Sequence, residues 1–283
     1  MSALRLVAHQ FRYDTRSLRR NRQALVTTLL LPILLLVLFV SAGGEKNTFV
    51  QDGHTVNAIS FFTPGLIAMA IVAAAFGNLV VDLVVQREGG VLKRRRAAPV
   101  PAWALIAGRT ATALSTATVT SFVLLAIAGN RYDLKVSSRE LVTVAASLVL
   151  GVLVFSALSY AIAPTIRSAA AIQPIVQLVL LPLYLISGVF LPSSKNPGWL
   201  NDLAAALPLE HITNGLHRAF GPEHATFGLT ATDLLVLAAW TIVGLAVAMR
   251  RFAWLPSSST TASGAGRTLG ERLIRAARPD GQT

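Results

Sequence analysis

His9, His54, His211, His217 and His224 are the side chains best suited to hold a metal or pass a proton near neutral pH, but they lie far apart along the chain. None falls with a carboxylate at metal-ligand spacing, so no metal site is expected. The absence of cysteine removes disulfides, thiolate nucleophiles and Cys-based metal sites. A phosphate-cradling loop needs Gly-x-x-x-x-Gly-Lys followed by Ser or Thr, and no such run occurs. Gly264, Gly266 and Gly270 are spaced too widely for a dinucleotide fingerprint and follow no strand. The chain is expected to have no catalytic residue and to hydrolyse no ATP itself.

The remaining chemistry-bearing residues lie inside apolar stretches: Asn78, Asp82, Arg109, Gln173 and Gln177. Asp82 and Arg109 sit at similar depth with opposite charge, which predicts a structural ion pair at the membrane rim, with proton relay as the alternative. The stretches that hold them are Ala24–Ala42, Phe61–Val85, Ala104–Ala128, Leu141–Ala163, Ala169–Leu191 and Thr232–Met249. Each is close to the ~20 residues that cross a hydrocarbon core of ~30 Å. With 53% hydrophobic and 13% charged residues in 283, ordinary soluble domains are excluded. The fold class expected is an all-α polytopic membrane protein with six transmembrane helices.

The net charge of +12 is distributed by side rather than by face. Arginines crowd before the first stretch, at Arg87 and Lys93–Arg96 after the second, at Arg167 after the fourth, and beyond the sixth. The other gaps carry most of the acids, including Glu45, Asp52, Asp133, Glu140, Asp202, Glu210 and Glu223. The positive-inside rule then places both termini in the cytoplasm and argues against nucleic acid as a partner. The first stretch is longer, and its basic lead far longer, than a cleaved secretory signal would have.

Three segments outside the stretches are informative. In residues 1–23, Leu4, Val7, Phe11 and Leu18 recur at helical spacing while the arginines point elsewhere, which predicts an amphipathic helix in the lipid interface. Between the second and third stretches, Gly89 and Gly90 break the emerging helix, and Pro99 and Pro101 stop the short turns of Val91–Ala98. A short, stiff, basic element there could receive a push from a cytoplasmic partner or merely fix orientation. Between the fifth and sixth, Gly188, Pro192 and Pro208 break an apolar run that includes Phe190, and Trp199 suits the interface, which predicts short helices dipping into the outer leaflet. Residues 252–283, after the 24–251 membrane domain, read as a flexible basic cytoplasmic tail.

Arg-Glu-x-Gly…Arg-x-x-x-Pro after the second stretch and Ser-Gly-x-Phe-x-Pro…Pro-x-Trp-Leu…Pro-Leu…Leu-x-Arg after the fifth, on six stretches with a basic lead, resemble the ABC-2 type permeases. The resemblance covers about residues 1–251. One departure is Glu210-His211, where such proteins often have an aromatic after the last Pro-Leu. The resemblance implies a membrane subunit of an ABC exporter in a bacterial inner membrane. Its partners would be a second permease subunit, membrane lipid and an ABC ATPase that binds the ATP and Mg. It implies that Arg87, Glu88, Gly89, Leu92, Arg94, Arg95 and Arg96 form the element coupling to the ATPase. It further implies an outer gate at Gly188, Phe190, Pro192, Trp199 and Pro208. The Leu-, Val-, Ala-, Ser- and Thr-rich stretches, with small residues such as those of Thr110–Ser121 facing a second subunit, suit an amphipathic small molecule or lipid. A channel or secondary carrier and an assembly scaffold are the alternatives.

Overall fold

The structure is a computed structural model that describes residues 26–43, 48–51, 54–89, 102–166, 168–192, 197–221 and 227–251. A π-helical turn, Val26–Leu30, leads into α1 (Leu31–Gly43), followed by a hairpin of β1 (Thr48–Gln51) and β2 (His54–Asn57). Next come α2 (Ala58–Val72), a π-helical segment (Ala73–Asn78) and α3 (Leu79–Glu88), which together make one long rod. They are followed by α4 (Ala102–Tyr132), α5 (Ser138–Ile162) with a 3-10 turn at Ala163–Thr165, and α6 (Ala169–Ile186). Two short helices, α7 (Gly198–Ala205) and α8 (Pro208–Phe220), precede α9 (Ala231–Arg251).

Among the described residues, five helices are long and apolar enough to cross a membrane: Ala58–Glu88, Leu105–Tyr132, Ser138–Thr165, Ala169–Ile186 and Ala231–Arg250. The first apolar stretch contributes only the shorter helix Thr28–Ser41 among these residues. The hairpin was not expected in an all-α chain. Its strands pair Thr48 with Asn57 and Gln51 with His54, and four residues are too few for an alternating pattern to stand out. Helix α6 is also shorter than its apolar stretch, because Gly188, at φ 72°, turns the chain just after Ile186.

The α2–α3 rod is the core of the bundle, with 83% of its most apolar window buried against 22% for α6 and for α9. Every residue of α2 except Ser60 is buried, so the helix is apolar all round, as a helix enclosed by others must be. Lipid offers little hydrophobic drive between helices, so close contact depends on small residues. A Cβ on Gly151 of α5 would lie 2.7 Å from Ile71 Cγ2 and 2.9 Å from Ile212 Cδ1, so this glycine lets α2 and α8 meet α5. A Cβ on Gly244 of α9 would lie 3.0 Å from Ala157 Cβ, which brings α9 onto α5 in the same way.

Several hydroxyls inside the bundle are satisfied along their own helices, as a water-free setting favours, whereas those of Thr63, Ser121, Ser147, Ser156 and Ser187 are buried without a partner. Thr112, Thr116 and Thr120 of α4 donate to the carbonyls of Gly108, Thr112 and Thr116 at 3.0, 2.8 and 3.0 Å. Ala113, Ala117, Thr120 and Ser121 are buried within the chain, because α4 packs on α2. These small residues therefore serve the intramolecular contact, while Thr118, Val119 and Phe122 are exposed. Ser159 Oγ of α5 reaches two carbonyls at 2.8 Å, that of Phe155 in its own helix and that of Ala75 in the π-helical segment.

Candidate coupling and gating site

At the end of α3, two neighbouring side chains grip the connection between α5 and α6. The last carbonyls of a helix have no partner within it, and neither do its first amides. Arg87 Nη1 donates to the carbonyls of Ala163 and Pro164, each at 3.2 Å, and Nη2 donates to the carbonyl of Ile166. Glu88 Oε1 accepts from the backbone N–H of Ala169, the first residue of α6, at 2.7 Å. The cation thus meets the negative end of α5 and the carboxylate the positive end of α6, each the favourable sign for the helix dipole. Gly89 ends α3, with its N–H on the carbonyl of Val85 at 2.9 Å. Sequence alone gave no sign of this joint, because the partners are backbone groups 76 to 81 residues away.

One helical turn from that joint, a cavity of about 40 Å³ opens between the rod and α4, lined by Ala74, Asn78, Leu79, Asp82, Arg109, Thr112, Ala113 and Thr116. It has room for a few waters. Asp82 and Arg109 are brought to the same wall, and the Arg109 guanidinium donates to Gln86 Oε1 on α3. Asn78 Nδ2 donates to Thr28 Oγ1 at 2.5 Å, which joins the two π-helical segments.

At the other end of the rod, α8 lies buried along α2, α5 and α9. Leu209, Ile212 and Leu216 are fully buried, which accounts for much of the apolar character of this segment. His217 stacks on Phe61 at 4.8 Å and 25° and donates from Nε2 to the carbonyl of Gly188 at 3.2 Å. Complete burial pushes its pKa down to about 4, so the ring is neutral and its single N–H holds the turn after α6. Phe190 meets Phe39 edge-on at 6.0 Å and Tyr184 at 6.2 Å. Pro192 and Pro208 are buried, Pro208 as the first residue of α8, whereas Trp199 is 69% exposed on α7. Trp240 of α9 donates from Nε1 to the carbonyl of Ala206 at 2.8 Å, tying down the α7–α8 link.

A buried polar network fixes α8 to α9. Asp233 Oδ1 faces His211 Nδ1 at 2.7 Å, and its Oδ2 accepts from Arg218 and from the N–H and hydroxyl of Thr230, the last two at 2.8 and 2.7 Å. His211 Nε2 also faces the carbonyl of Ala205 at 2.9 Å, so both ring nitrogens meet acceptors and only the imidazolium satisfies both. The hydrogen bond to Asp233 raises the His211 pKa, against the opposing effect of burial. Histidines and acids that lie scattered along the sequence are thus partly gathered here. Thr230 and Asp233 were legible as a Thr-x-x-Asp helix start, but their partners on α8 were not. Among the described residues no group of three His, Cys, Asp or Glu could hold a metal.

Residues 6–220 match the family model described as ABC-2 type transporter. The chain belongs to the ABC-2 type transporter family. It is 24% identical over 236 residues to the inner membrane transport permease YadH of Escherichia coli K12, an alignment covering 81% of this chain and 91% of that protein. The same figures hold for the YadH of Shigella flexneri. The ABC-2 match runs from the basic lead to Phe220, the last residue of α8, and so includes the Arg87–Glu88 joint, the polar cavity and the residues expected at an outer gate. Asp233, which completes the network, lies beyond it. Leu4, Val7, Phe11 and Leu18 of the ABC-2 lead, and Leu92, Arg94, Arg95 and Arg96, lie outside the described residues.

Proposed function

We propose that this chain is the permease subunit of an exporter in a bacterial inner membrane, moving an amphipathic small molecule or lipid outward on ATP hydrolysed by a separate chain. The observation that carries the reading is the end of the central rod. The most enclosed helix of the bundle leads straight into the basic segment after Gly89, so a force applied to that segment reaches the core directly. Six spans, both termini in the cytoplasm, the lead as an interfacial helix and a second permease subunit complete the proposal. The apolar surface of the bundle favours an amphipathic cargo over a polyanion, which would need charged partners along its path.

The absence of cysteine makes topology simple to test. Single cysteines at Ser17, Ala98 and Ser259 are expected to resist an impermeant thiol reagent in intact cells, and those at Thr48, Ser137 and Ser194 to react. Labelling of Ala98 from outside would overturn the six-span arrangement. The coupling role is tested by replacing Arg94, Arg95 and Arg96 together with glutamine. Loss of ATPase co-purification, with the permease still in the membrane, is the expected result. Retention of both assembly and export refutes the role.

A further inference from the structure

We propose that Arg87 and Glu88 are positioning residues that make the end of the central rod and α6 move as one body, so that a push on the basic segment is delivered to α6. The inference rests on the reading that this segment meets an ATPase. Apart from its short links to α7 and α8, α6 is held to the bundle mainly by the rod. Its buried residues, Ile172, Val176, Leu180 and Tyr184, form a single stripe four residues apart. Midway along, a Cβ on Gly77 of the rod would lie 3.5 Å from Leu180 Cδ1 and 3.9 Å from Val176 Cγ1. Where α6 ends, Val189 lies against Gly65 of the rod. At its start Glu88 takes the Ala169 N–H, and Arg87 takes the three carbonyls just before it. The outer face of α6 is left exposed, with Leu178 at 75% and Leu181 at 59%.

This arrangement resembles a lever more than a wall. Pro174 and Pro182 remove hydrogen bonds within α6 and let it bend. The bond of Glu88 to its first amide, with Arg87 holding the link that precedes it, is then what ties its cytoplasmic end to the rod, because a single apolar stripe in lipid resists sliding weakly. Without Arg87 and Glu88 the rod could move while the start of α6 stayed behind.

The Cys-free chain allows spin labels at Val85 and Ala170, both at exposed positions. In the complex purified with its ATPase, the Val85–Ala170 distance is expected to be the same in ADP and in ATP with vanadate. In R87A/E88A it is expected to differ between the two states while ATPase co-purification is unchanged, a result that a merely structural role would not give. In the permease alone, the detached population seen as label mobility at Ala170 is expected to rise about tenfold, as the loss of a charge-assisted hydrogen bond implies. E88Q, which keeps an acceptor oxygen, is expected to stay close to the parent. A parent distance that changes with nucleotide, or an R87A/E88A complex that behaves as the parent, overturns the proposal. If no ATPase accompanies the chain, the reading under Proposed function falls, and mobility at Ala170 alone decides whether the two side chains hold α6.

Discussion

Asp233→Ala is expected to cost roughly 3–5 kcal/mol, because removing one partner of a buried ionic network leaves the other charges uncompensated. The Asp233 side chain is 5% exposed and bonds at once to His211, Arg218 and Thr230. Its loss leaves the buried His211 imidazolium without its counter-charge, takes one acceptor from Arg218, which keeps the Gly228 carbonyl, and removes one half of the cap that starts α9. Against a total stability of about 5–15 kcal/mol for a typical protein, that is a large fraction of the margin. The measurement is the amount of monodisperse protein recovered in mild detergent together with its thermal midpoint. A midpoint equal to the parent's would show that the network contributes nothing.

The same network predicts a pH dependence of definite sign. The folded-state pKa of His211 lies above its usual 6.5, so the stabilisation is complete below pH 6.5 and fades as the pH rises through the raised value. The charged groups acting on the ring are Asp233 of α9 and Glu210 of α8, and both carboxylates favour the imidazolium, while Arg218 of α8 binds the other oxygen of Asp233. His211→Asn is expected to flatten the pH dependence of the thermal midpoint above pH 6.5, where the raised imidazole titrates. A variant whose profile follows the parent's assigns the dependence elsewhere.

Gly65→Ala is expected to be nearly as damaging as loss of Asp233. The new methyl would sit 2.5 Å from the carbonyl oxygen of Val189 and 3.2 Å from its carbon, and both are backbone atoms. That backbone has little room to retreat. Gly188 before it is at φ 72° and gives its carbonyl to His217, and Phe190 after it is set among Phe39 and Tyr184. Overpacking of this kind costs about 1–3 kcal/mol and more where the obstacle is rigid. Gly188→Val adds a left-handed backbone penalty of about 1–2 kcal/mol at the same turn. Export is expected to fall while ATPase binding persists, because the turn lies at the opposite end of the rod from the coupling segment. Gly198→Ala is the control, since a Cβ there meets nothing within 4 Å. A Gly65→Ala protein as stable and active as Gly198→Ala would refute the close approach.

The helical class, five of the long apolar helices and the break between α6 and α9 were legible because each depends on local facts. These are the length of apolar runs against bilayer thickness and the positions of Gly and Pro. The glycine at position 188 was legible for the same reason: a left-handed turn needs it. What only the tertiary structure decided is which groups meet. Arg87 and Glu88 read as part of a basic element facing a partner chain until the ends of α5 and α6 are placed beside them. Asp233 reads as an acid at a helix start until His211 and Arg218 arrive from α8. The small residues of α4 read as a surface for another subunit, and only the packing of α2 shows that Ala113, Ala117, Thr120 and Ser121 serve a contact within the chain. In each case the deciding partner lies on a different helix, and its pairing follows from the three-dimensional crossing of helices, which spacing along one segment does not encode.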